Sequence, residues 1–290
     1  MLKNSHVLII GGDARYLEVI NHLSAGVATV YVAGFDQLTF HQPNIHHTKL
    51  DKIDFDIVDA ILLPVSGTNS KGRIEATYAH NDIYLTKKMI AQTPDHCYIC
   101  TGISNTFLDD ATESANRKLV RLFARDDIAI YNSIPTAEGA LMLAMEQTDV
   151  TVHGSQVMVL GFGRVGMTLA RLFSAVGAHV HVCVRKAADI ARISEMGLHP
   201  ILVKDLEKEI ADTDICINTI PHQIVDSKII SAMKKSSLII DLASSPGGTD
   251  FIFAEQQSIK NIHALGLPGK VAPKTAGKII ADVFTKVISE

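Results

Sequence analysis

A short apolar segment, Gln156-Val-Met-Val-Leu160, runs directly into the glycine pattern Gly161-x-Gly163-x-x-Gly166 and then into a sequence with helical periodicity. In such a strand–turn–helix unit the first glycine permits a tight turn, the second lets backbone approach a phosphate, and the third lets helix and strand pack closely. The helix N-terminus adds free N–H groups and the positive end of its dipole. The alternative is a glycine-rich turn without a ligand. We predict a dinucleotide pyrophosphate site formed by Gly161, Phe162, Gly163, Arg164, Val165 and Gly166.

The strand after this helix is predicted over residues 179–184, and Arg185 and Lys186 follow it. NAD-binding enzymes usually carry Asp or Glu here, against the ribose 2′-hydroxyl, whereas an arginine pairs with a 2′-phosphate. Arg185 and Lys186 therefore favour NADP over NAD. The alternative is that Arg185 is a solvated loop cation.

The composition fits a two-domain α/β protein and excludes several other classes. The 290 residues are 47% hydrophobic, which is long and apolar enough for two cores. The formal net charge is −4 and the charges are dispersed, so we expect neither nucleic-acid binding nor a polybasic membrane patch. The first apolar run, Val7–Ile10, is too short for a signal peptide, and no run reaches membrane-spanning length. We expect a cytoplasmic protein.

The four cysteines, at positions 97, 100, 183 and 216, make no disulfide framework in a chain of this length. Cys97-Tyr-Ile-Cys100 has CxxC spacing, but it lies in a strand-like apolar run and no second pair exists. We interpret these cysteines as buried structural residues rather than as a redox or zinc site. No histidine spacing typical of a metal site is present, so no metal is predicted.

Both halves of the chain show alternating strand and helix patterns. In the first half, a helix ends near residue 23, strands are predicted at 7–10, 28–32, 60–63, 97–101 and 128–131, and further helices at 82–92 and 105–123. This pattern indicates a doubly wound parallel sheet. Its first turn, Gly11-Gly-Asp-Ala-Arg15, lacks the third glycine of the dinucleotide pattern, so we do not expect it to hold the dinucleotide.

The second half begins with a predicted linking helix that has Pro135 at its first position and ends at Glu146. After the glycine pattern, a helix is predicted at 187–196, strands at 214–218, 237–241 and 263–265, and a final helix at 275–288. The predicted fold is α/β, with two Rossmann-like doubly wound parallel-sheet domains. Residues 1–131 form the substrate-side domain, with 275–290 packing back on it, and 132–274 the cofactor domain; the active site is expected in the interdomain cleft.

Polar and small residues follow two strands of the second half, where the carboxyl edge of a parallel sheet meets its ligand. The two segments run from Asn218 to Pro221 and from Asp241 to Gly248. The predicted cofactor contacts in them are Thr219, Ile220, Pro221, Asp241, Leu242, Ala243 and Ser244. Ordinary turn chemistry is the alternative for either segment.

In the first half, Arg15 is a candidate clamp for a carboxylate, with a surface cation as the alternative. Hydroxyl and amide groups that follow two other strands are candidate substrate contacts, with helix capping as the alternative; they belong to Ser66, Thr68, Ser104 and Asn105. Lys270 and Lys274, just before the last helix, are candidate carboxylate ligands or else solvated. No catalytic base can be assigned, so the catalytic residue is left unknown.

Long motifs in the chain resemble those of the A subunits of bacterial dipicolinate synthases, and the resemblance covers nearly the whole sequence. It rests on residues 11–15, 34–38, 125–136, 154–166, 214–221, 241–251 and 266–277. It implies a fold like that of formate/glycerate dehydrogenases and a nicotinamide component that works with a flavoprotein-like B subunit. The implied reaction oxidises a dihydrodipicolinate-level substrate, a small dicarboxylate, to pyridine-2,6-dicarboxylate.

The resemblance also implies the mother-cell cytoplasm of a sporulating bacterium, and analogy with two-domain dehydrogenases suggests a homo-oligomer, such as a dimer. D-2-hydroxyacid dehydrogenases of similar fold carry an Arg soon after the strand ending at Asp241 and a His after the late loop. Here Ser244 and Gly266-Leu-Pro-Gly269 stand instead, without a later His, so that reaction is not expected. Two alternatives stay open: an NADP-linked imine or keto-acid reductase, and a non-catalytic nucleotide-binding scaffold for the B subunit.

Overall fold

The structure is a computed structural model that describes residues 5–26 and 29–289. Its contacts divide the chain into two compact units. The first comprises Met1–Tyr131 together with Ala272–Glu290, and the second comprises Asn132–Val271. Residues 1 and 290, the outer limits of the predicted first domain, and Ala28, the predicted start of the second strand, lie outside the described residues.

The structure gives the following bounds. The strands are β1 (His6–Ile10), β2 (Thr29–Ala33), β3 (Ile45–His47), β4 (Ala60–Leu62), β5 (Arg73–Ile74), β6 (Ile83–Tyr84), β7 (Tyr98–Thr101), β8 (Lys118–Arg121), β9 (Gln156–Leu160), β10 (His179–Val184), β11 (His199–Leu202), β12 (Ile215–Asn218), β13 (Leu238–Asp241) and β14 (Lys260–His263). The α-helices are α1 (Ala14–Gly26), α2 (Lys87–Ala91), α3 (Thr106–Ser114), α4 (Asp126–Gln147), α5 (Arg164–Ala175), α6 (Ala187–Glu195), α7 (Leu206–Glu209), α8 (Ser227–Ala232), α9 (Phe251–Gln256), α10 (Leu267–Val271) and α11 (Pro273–Ser289).

Each unit is built on one six-stranded parallel sheet. The strand orders are β3-β2-β1-β4-β7-β8 and β11-β10-β9-β12-β13-β14. In both sheets the first strand of the unit is central, which is the order of doubly wound dinucleotide-binding folds. The central strands are buried on both faces, because helices cover both sides of the sheet; Val7–Ile10 and Val157–Leu160 are at most 1% exposed. The predicted fold class, two Rossmann-like parallel sheets, is confirmed.

The strand predicted at 128–131 is wrong, since these residues lie in the long helix α4. Asp126 and Asp127 stand in its first turn, where the helix dipole favours negative charge. Its buried face repeats at helical spacing through Ser133, Ala137, Ala140 and Ala144. Pro135 therefore lies inside the helix rather than at its first position, contrary to the prediction.

The sixth strand of the first sheet is instead β8, inside the segment predicted as the helix 105–123. Helix α3 ends at Ser114, and Asn116 adopts a left-handed conformation with φ of 52°, which terminates the helix. The chain then pairs with β7.

The predicted helix 82–92 is likewise shorter, because β6 occupies residues 83–84 and Thr86 caps α2 by accepting a hydrogen bond from the N–H of Met89. The last strand, predicted at 263–265, ends at His263.

All four cysteines are buried free thiols, as the interpretation from sequence requires. Burial raises the pKa of Cys97 to about 11 and that of Cys183 to about 12, so both stay protonated and unreactive near neutral pH. Among residues 5–26 and 29–289 no three His, Cys, Asp or Glu side chains converge as a metal site would require. Within the same residues, no helix combines the length and apolarity needed to cross a membrane.

The C-terminal helix α11 completes the core of the first unit by packing on α1. Its buried side chains, among them Ile280 and Phe284, join a cluster with the buried face of α1, including Tyr16 and Ile20. The two helix backbones come close at Gly277, where an added Cβ would lie 2.2 Å from the carbonyl oxygen of Arg15. No side chain larger than hydrogen fits at this position.

Replacing Gly277 with alanine is expected to destabilise the first unit, although alanine normally favours helix by about 1 kcal/mol over glycine. The methyl group forces α1 and α11 apart, and overpacking of this kind costs about 1–3 kcal/mol. Differential scanning calorimetry measures the loss as a lower unfolding midpoint. Gly26→Ala is the matched control, because its Cβ meets no atom within 4 Å. Equal midpoints for the two variants would contradict the packing described.

Candidate functional site

The glycine loop, residues 161–166, has the geometry of a phosphate-binding turn. Gly161 has a φ of +97°, and a Cβ there would lie 2.6 Å from Oγ1 of Thr219. A Cβ on Gly166 would lie 2.2 Å from the carbonyl oxygen of Gly161, so helix α5 packs directly on the turn. Around Gly163, in contrast, a Cβ would meet nothing within 4 Å. The turn is tight on its inner side and open where a phosphate would approach.

Helix α5 presents its N-terminus at this opening. Gly163 is its N-cap and supplies no side-chain hydrogen bond, so the first-turn N–H groups are not capped by that residue. Both Gly163 and Arg164 are exposed. Uncapped N–H groups and the positive dipole end attract an anion. These residues fit the pyrophosphate of a dinucleotide.

Arg185 and Lys186 lie at the carboxyl end of β10, beside the glycine loop. The N–H of Gly161 donates to the carbonyl of Cys183 at 3.0 Å, which places the end of β10 next to the turn. Both cations are exposed, and neither forms an ion pair with another described residue. Their place matches that of the residue that reads the adenosine ribose in this fold. The preference for NADP stays a prediction.

Asp241, at the end of β13, is fully buried. Its Oδ1 accepts a hydrogen bond from the N–H of Ala243 at 2.9 Å. Its Oδ2 accepts from the N–H of Gly248 at 2.9 Å, the hydroxyl of Thr249 at 2.6 Å and Nδ2 of Asn218 at 3.1 Å. A buried carboxylate requires such donors. Asp241 thus points inward and shapes the loop that follows it, and its predicted cofactor contact stays a prediction.

Asn218, the first residue of one of the two predicted segments, connects the two loops at this edge of the sheet. Its Oδ1 accepts a hydrogen bond from the N–H of Ile220, and its Nδ2 donates to the Ile220 carbonyl, both at 3.0 Å. The same Nδ2 also donates to Asp241. A Cβ on Gly248 would lie 2.4 Å from the Ile220 carbonyl oxygen, so the loops are in backbone contact. A polar residue that ends an otherwise apolar strand was the available signal.

The remaining predicted cofactor contacts of these loops divide by exposure. The Thr219 hydroxyl donates to the carbonyl of Leu160 at 2.8 Å, and Ala243 is buried, so both side chains serve the scaffold. The side chains of Thr219, Ile220 and Leu242 are half-buried, and those of Pro221 and Ser244 are exposed. Their contacts with a cofactor stay predictions.

In the first unit, the turn after β1 is covered by the chain that follows β5. The N–H of Gly12 donates to the Glu75 carbonyl at 2.9 Å, and the N–H of Thr77 donates to the Gly12 carbonyl at 3.1 Å. A Cβ on Gly11 would lie 2.5 Å from the same Glu75 oxygen. The backbone groups that would hold a pyrophosphate in a Rossmann domain are thus used within the protein.

Arg15, which follows this turn, forms an ion pair with Asp13. Its Nε and Nη2 donate to the Asp13 carboxylate at 2.6–3.1 Å, and its side chain is 13% exposed. Burial tends to raise the pKa of Asp13, but the hydrogen bonds and charge of Arg15 outweigh burial and hold that pKa below its usual value. The role of Arg15 as a carboxylate clamp stays a prediction.

The first unit also carries the polar depression, a hollow of about 540 Å³ lined by Ser66, Gly67, Thr68, Asn69, Arg73, Glu75, Ala76 and Thr77. Ser66 donates to the Glu75 carboxylate at 3.0 Å. Asn105 caps α3 by accepting from the N–H of Leu108, and its amide group donates to the Thr68 carbonyl. Ser104 accepts a hydrogen bond from Arg121. The capping alternative is thus realised for Asn105, while Ser66 and Thr68 do line the depression.

The two predicted lysines are both exposed, but the structure places them in different units. Lys270 lies in α10 of the second unit, and Lys274 lies in the first turn of α11, which belongs to the first unit. Neither has an ion-pair partner among the described residues. Their role as carboxylate ligands stays a prediction.

Comparison with known proteins identifies the family. The dipicolinate synthase A subunit of Bacillus subtilis (strain 168) is 50% identical over 290 residues, which is 100% of this chain and 98% of that protein. The chain belongs to the family of dipicolinate synthase A subunits. Residues 6–123 match the N-terminal domain of this family, and residues 133–246 match the NAD binding domain of D-isomer specific 2-hydroxyacid dehydrogenases.

Solved structures agree with this assignment. The crystal structure of the dipicolinate synthase A subunit from Bacillus halodurans has a TM-score of 0.98 at 50% identity, covering 100% of this chain and 99% of that chain. A transhydrogenase from Sinorhizobium meliloti has a TM-score of 0.70 at 14% identity, covering 98% of this chain and 93% of that chain, and shares the fold. This family member thus has a dehydrogenase-like oxidoreductase fold with a domain for a nicotinamide cofactor.

Replacing Arg185 with aspartate is expected to lower the affinity for NADPH about 10- to 100-fold, because a charge-assisted hydrogen bond of about 1.5–3 kcal/mol is replaced by repulsion. NADH binding should be unchanged or tighter. Titration calorimetry with both cofactors measures the difference. Arg192→Asp, seven residues further on in α6 and also exposed, serves as the control. Equal NADPH and NADH affinities in the unmodified chain would contradict the role given to Arg185.

Proposed function

We propose that this chain is the nicotinamide-binding subunit of a dipicolinate synthase, which oxidises dihydrodipicolinate to pyridine-2,6-dicarboxylate. The observation that carries the proposal is the open, uncapped glycine loop of the second unit in a chain of this family. A dinucleotide held there supplies an acceptor for the hydride that leaves the ring. Formation of an aromatic ring supplies the driving force.

The first unit is proposed to bind the dicarboxylate substrate. Ser66 and Thr68 supply hydroxyl groups in the polar depression, and Arg15, within electrostatic range of Glu75, supplies a guanidinium edge. A planar guanidinium suits a carboxylate, because its N–H groups can donate in parallel to both oxygens. We further propose Lys270 or Lys274 as a second carboxylate ligand.

The proposed cofactor is NADP, on the strength of Arg185 and Lys186 at the end of β10. The name of the Bacillus subtilis relative, which makes it one subunit of a synthase, supports a partner. We propose that this partner is a flavoprotein-like B subunit in the cytoplasm of the mother cell of a sporulating bacterium. A homo-oligomer is supported by exposed apolar side chains on α4, where Ile134 and Met145 are 49% and 56% exposed.

The reaction is tested with the purified chain, NADP⁺ and dihydrodipicolinate generated enzymatically, with and without the B subunit. We expect pyridine-2,6-dicarboxylate and NADPH to form in equal amounts, as followed by ultraviolet absorption. Omitting NADP⁺ should abolish product. If the B subunit forms product without NADP⁺, this chain does not accept the hydride, and its role would be that of a scaffold.

The clamp is tested separately with Arg15→Ala. Loss of a charge-assisted contact should weaken binding of pyridine-2,6-dicarboxylate about tenfold or more. NADPH binding should stay intact, because the glycine loop belongs to the other unit. Equal loss of both ligands would indicate a folding defect, since Asp13 is then left without its partner.

A further inference from the structure

Glu75 lies at the carboxyl edge of the first sheet, in a position fixed by its own backbone. Its carbonyl accepts from the N–H of Gly12, and the next residue, Ala76, forms a parallel bridge with Gly12. The segment that carries Glu75 is therefore bonded to the turn that leads into α1 and Arg15. A side chain on such a support is positioned by the sheet and not by a loose loop.

The Glu75 side chain is exposed and faces the polar depression. Its Oε2 accepts a hydrogen bond from the Ser66 hydroxyl at 3.0 Å, and its Oε1 has no hydrogen-bond partner among the described residues. Ser66 thus orients the carboxylate and leaves one oxygen directed to a ligand. Glu75 is the only carboxylate among the described residues that line this depression.

Neighbouring carboxylates differ from Glu75 because each is paired. Asp13 holds Arg15 through several hydrogen bonds, which lower its pKa and weaken it as a base. Asp82 pairs with Arg73 at 2.7 Å. The charge of Glu75 reaches Arg15 and, together with Asp13, helps to raise the pKa of that guanidinium against the effect of burial. The Glu75 carboxylate, which lines the depression, therefore lies within electrostatic range of the Arg15 guanidinium.

We propose that Glu75 is the proton acceptor of the oxidation, with Ser66 as its positioning residue. This inference rests on the proposed function. To become aromatic, the dihydro ring loses a hydride from one ring carbon and a proton from a neighbouring ring atom. The bond that releases the proton leaves its electron pair in the new ring double bond. A bound oxidised nicotinamide would supply the hydride acceptor, and Glu75 takes the proton and passes it to water, to which it is exposed.

The test uses the full chain with its B subunit, NADP⁺ and enzymatically generated dihydrodipicolinate. Glu75→Gln keeps the hydrogen bond from Ser66 but removes the base, and we expect kcat to fall about 10²- to 10⁴-fold. Binding of NADPH and of pyridine-2,6-dicarboxylate should be unchanged. Asp82→Asn, on the same segment but directed to Arg73, should keep the unmodified rate.

Chemical rescue separates a base from a structural group. In Glu75→Ala, added formate should restore part of the rate in proportion to its concentration, because a small carboxylate can occupy the vacated space. An unmodified rate in Glu75→Gln overturns the proposal, and so does a loss that formate does not restore. If the unmodified chain does not turn over at all, the proposed function fails first, and this proposal fails with it.

Discussion

Asp241 has no exposed surface, and a carboxylate in such a place is tolerated only because several donors surround it. Those donors come from the end of β12 and from the loop after β13, so one side chain joins two crossover connections. Gly248 is required because its backbone lies against that of Ile220. The carboxyl edge of the second sheet is thereby shaped before any ligand arrives, and exposed residues such as Ser244 and Pro221 are held in place by buried ones.

The two units share a strand order but use their first turns in opposite ways. In the second unit Gly163 is open and α5 begins without a side-chain cap. In the first unit the Gly12 N–H is bonded to Glu75, and the segment between β4 and α2 covers the turn. The common topology thus creates an equivalent edge twice, but the first turn is covered by backbone in one sheet and open in the other.

Much of this was predictable where one pattern determines the outcome. Strand β9, the glycine loop and β10 follow from periodicity and from the special backbone of glycine. The apolar residues 128–131 were ambiguous, because four residues do not distinguish strand from helix, and only the longer period through Ala144 decides. Asp241 could not be recognised as inward-facing, since the donors that bury it lie up to 23 residues away. Ser66 and Glu75, nine residues apart, meet only because the intervening chain turns back.

The placement of α11 has a consequence for how the chain is made. The residues of the second unit form one continuous stretch, whereas the first unit needs Pro273–Ser289, which a ribosome synthesises after all of Asn132–Val271. Until then the apolar face of α1 that receives Phe284 and Ile280 has no cover. During synthesis the nicotinamide-binding unit can complete its core first, and the earlier-made unit waits for helix α11.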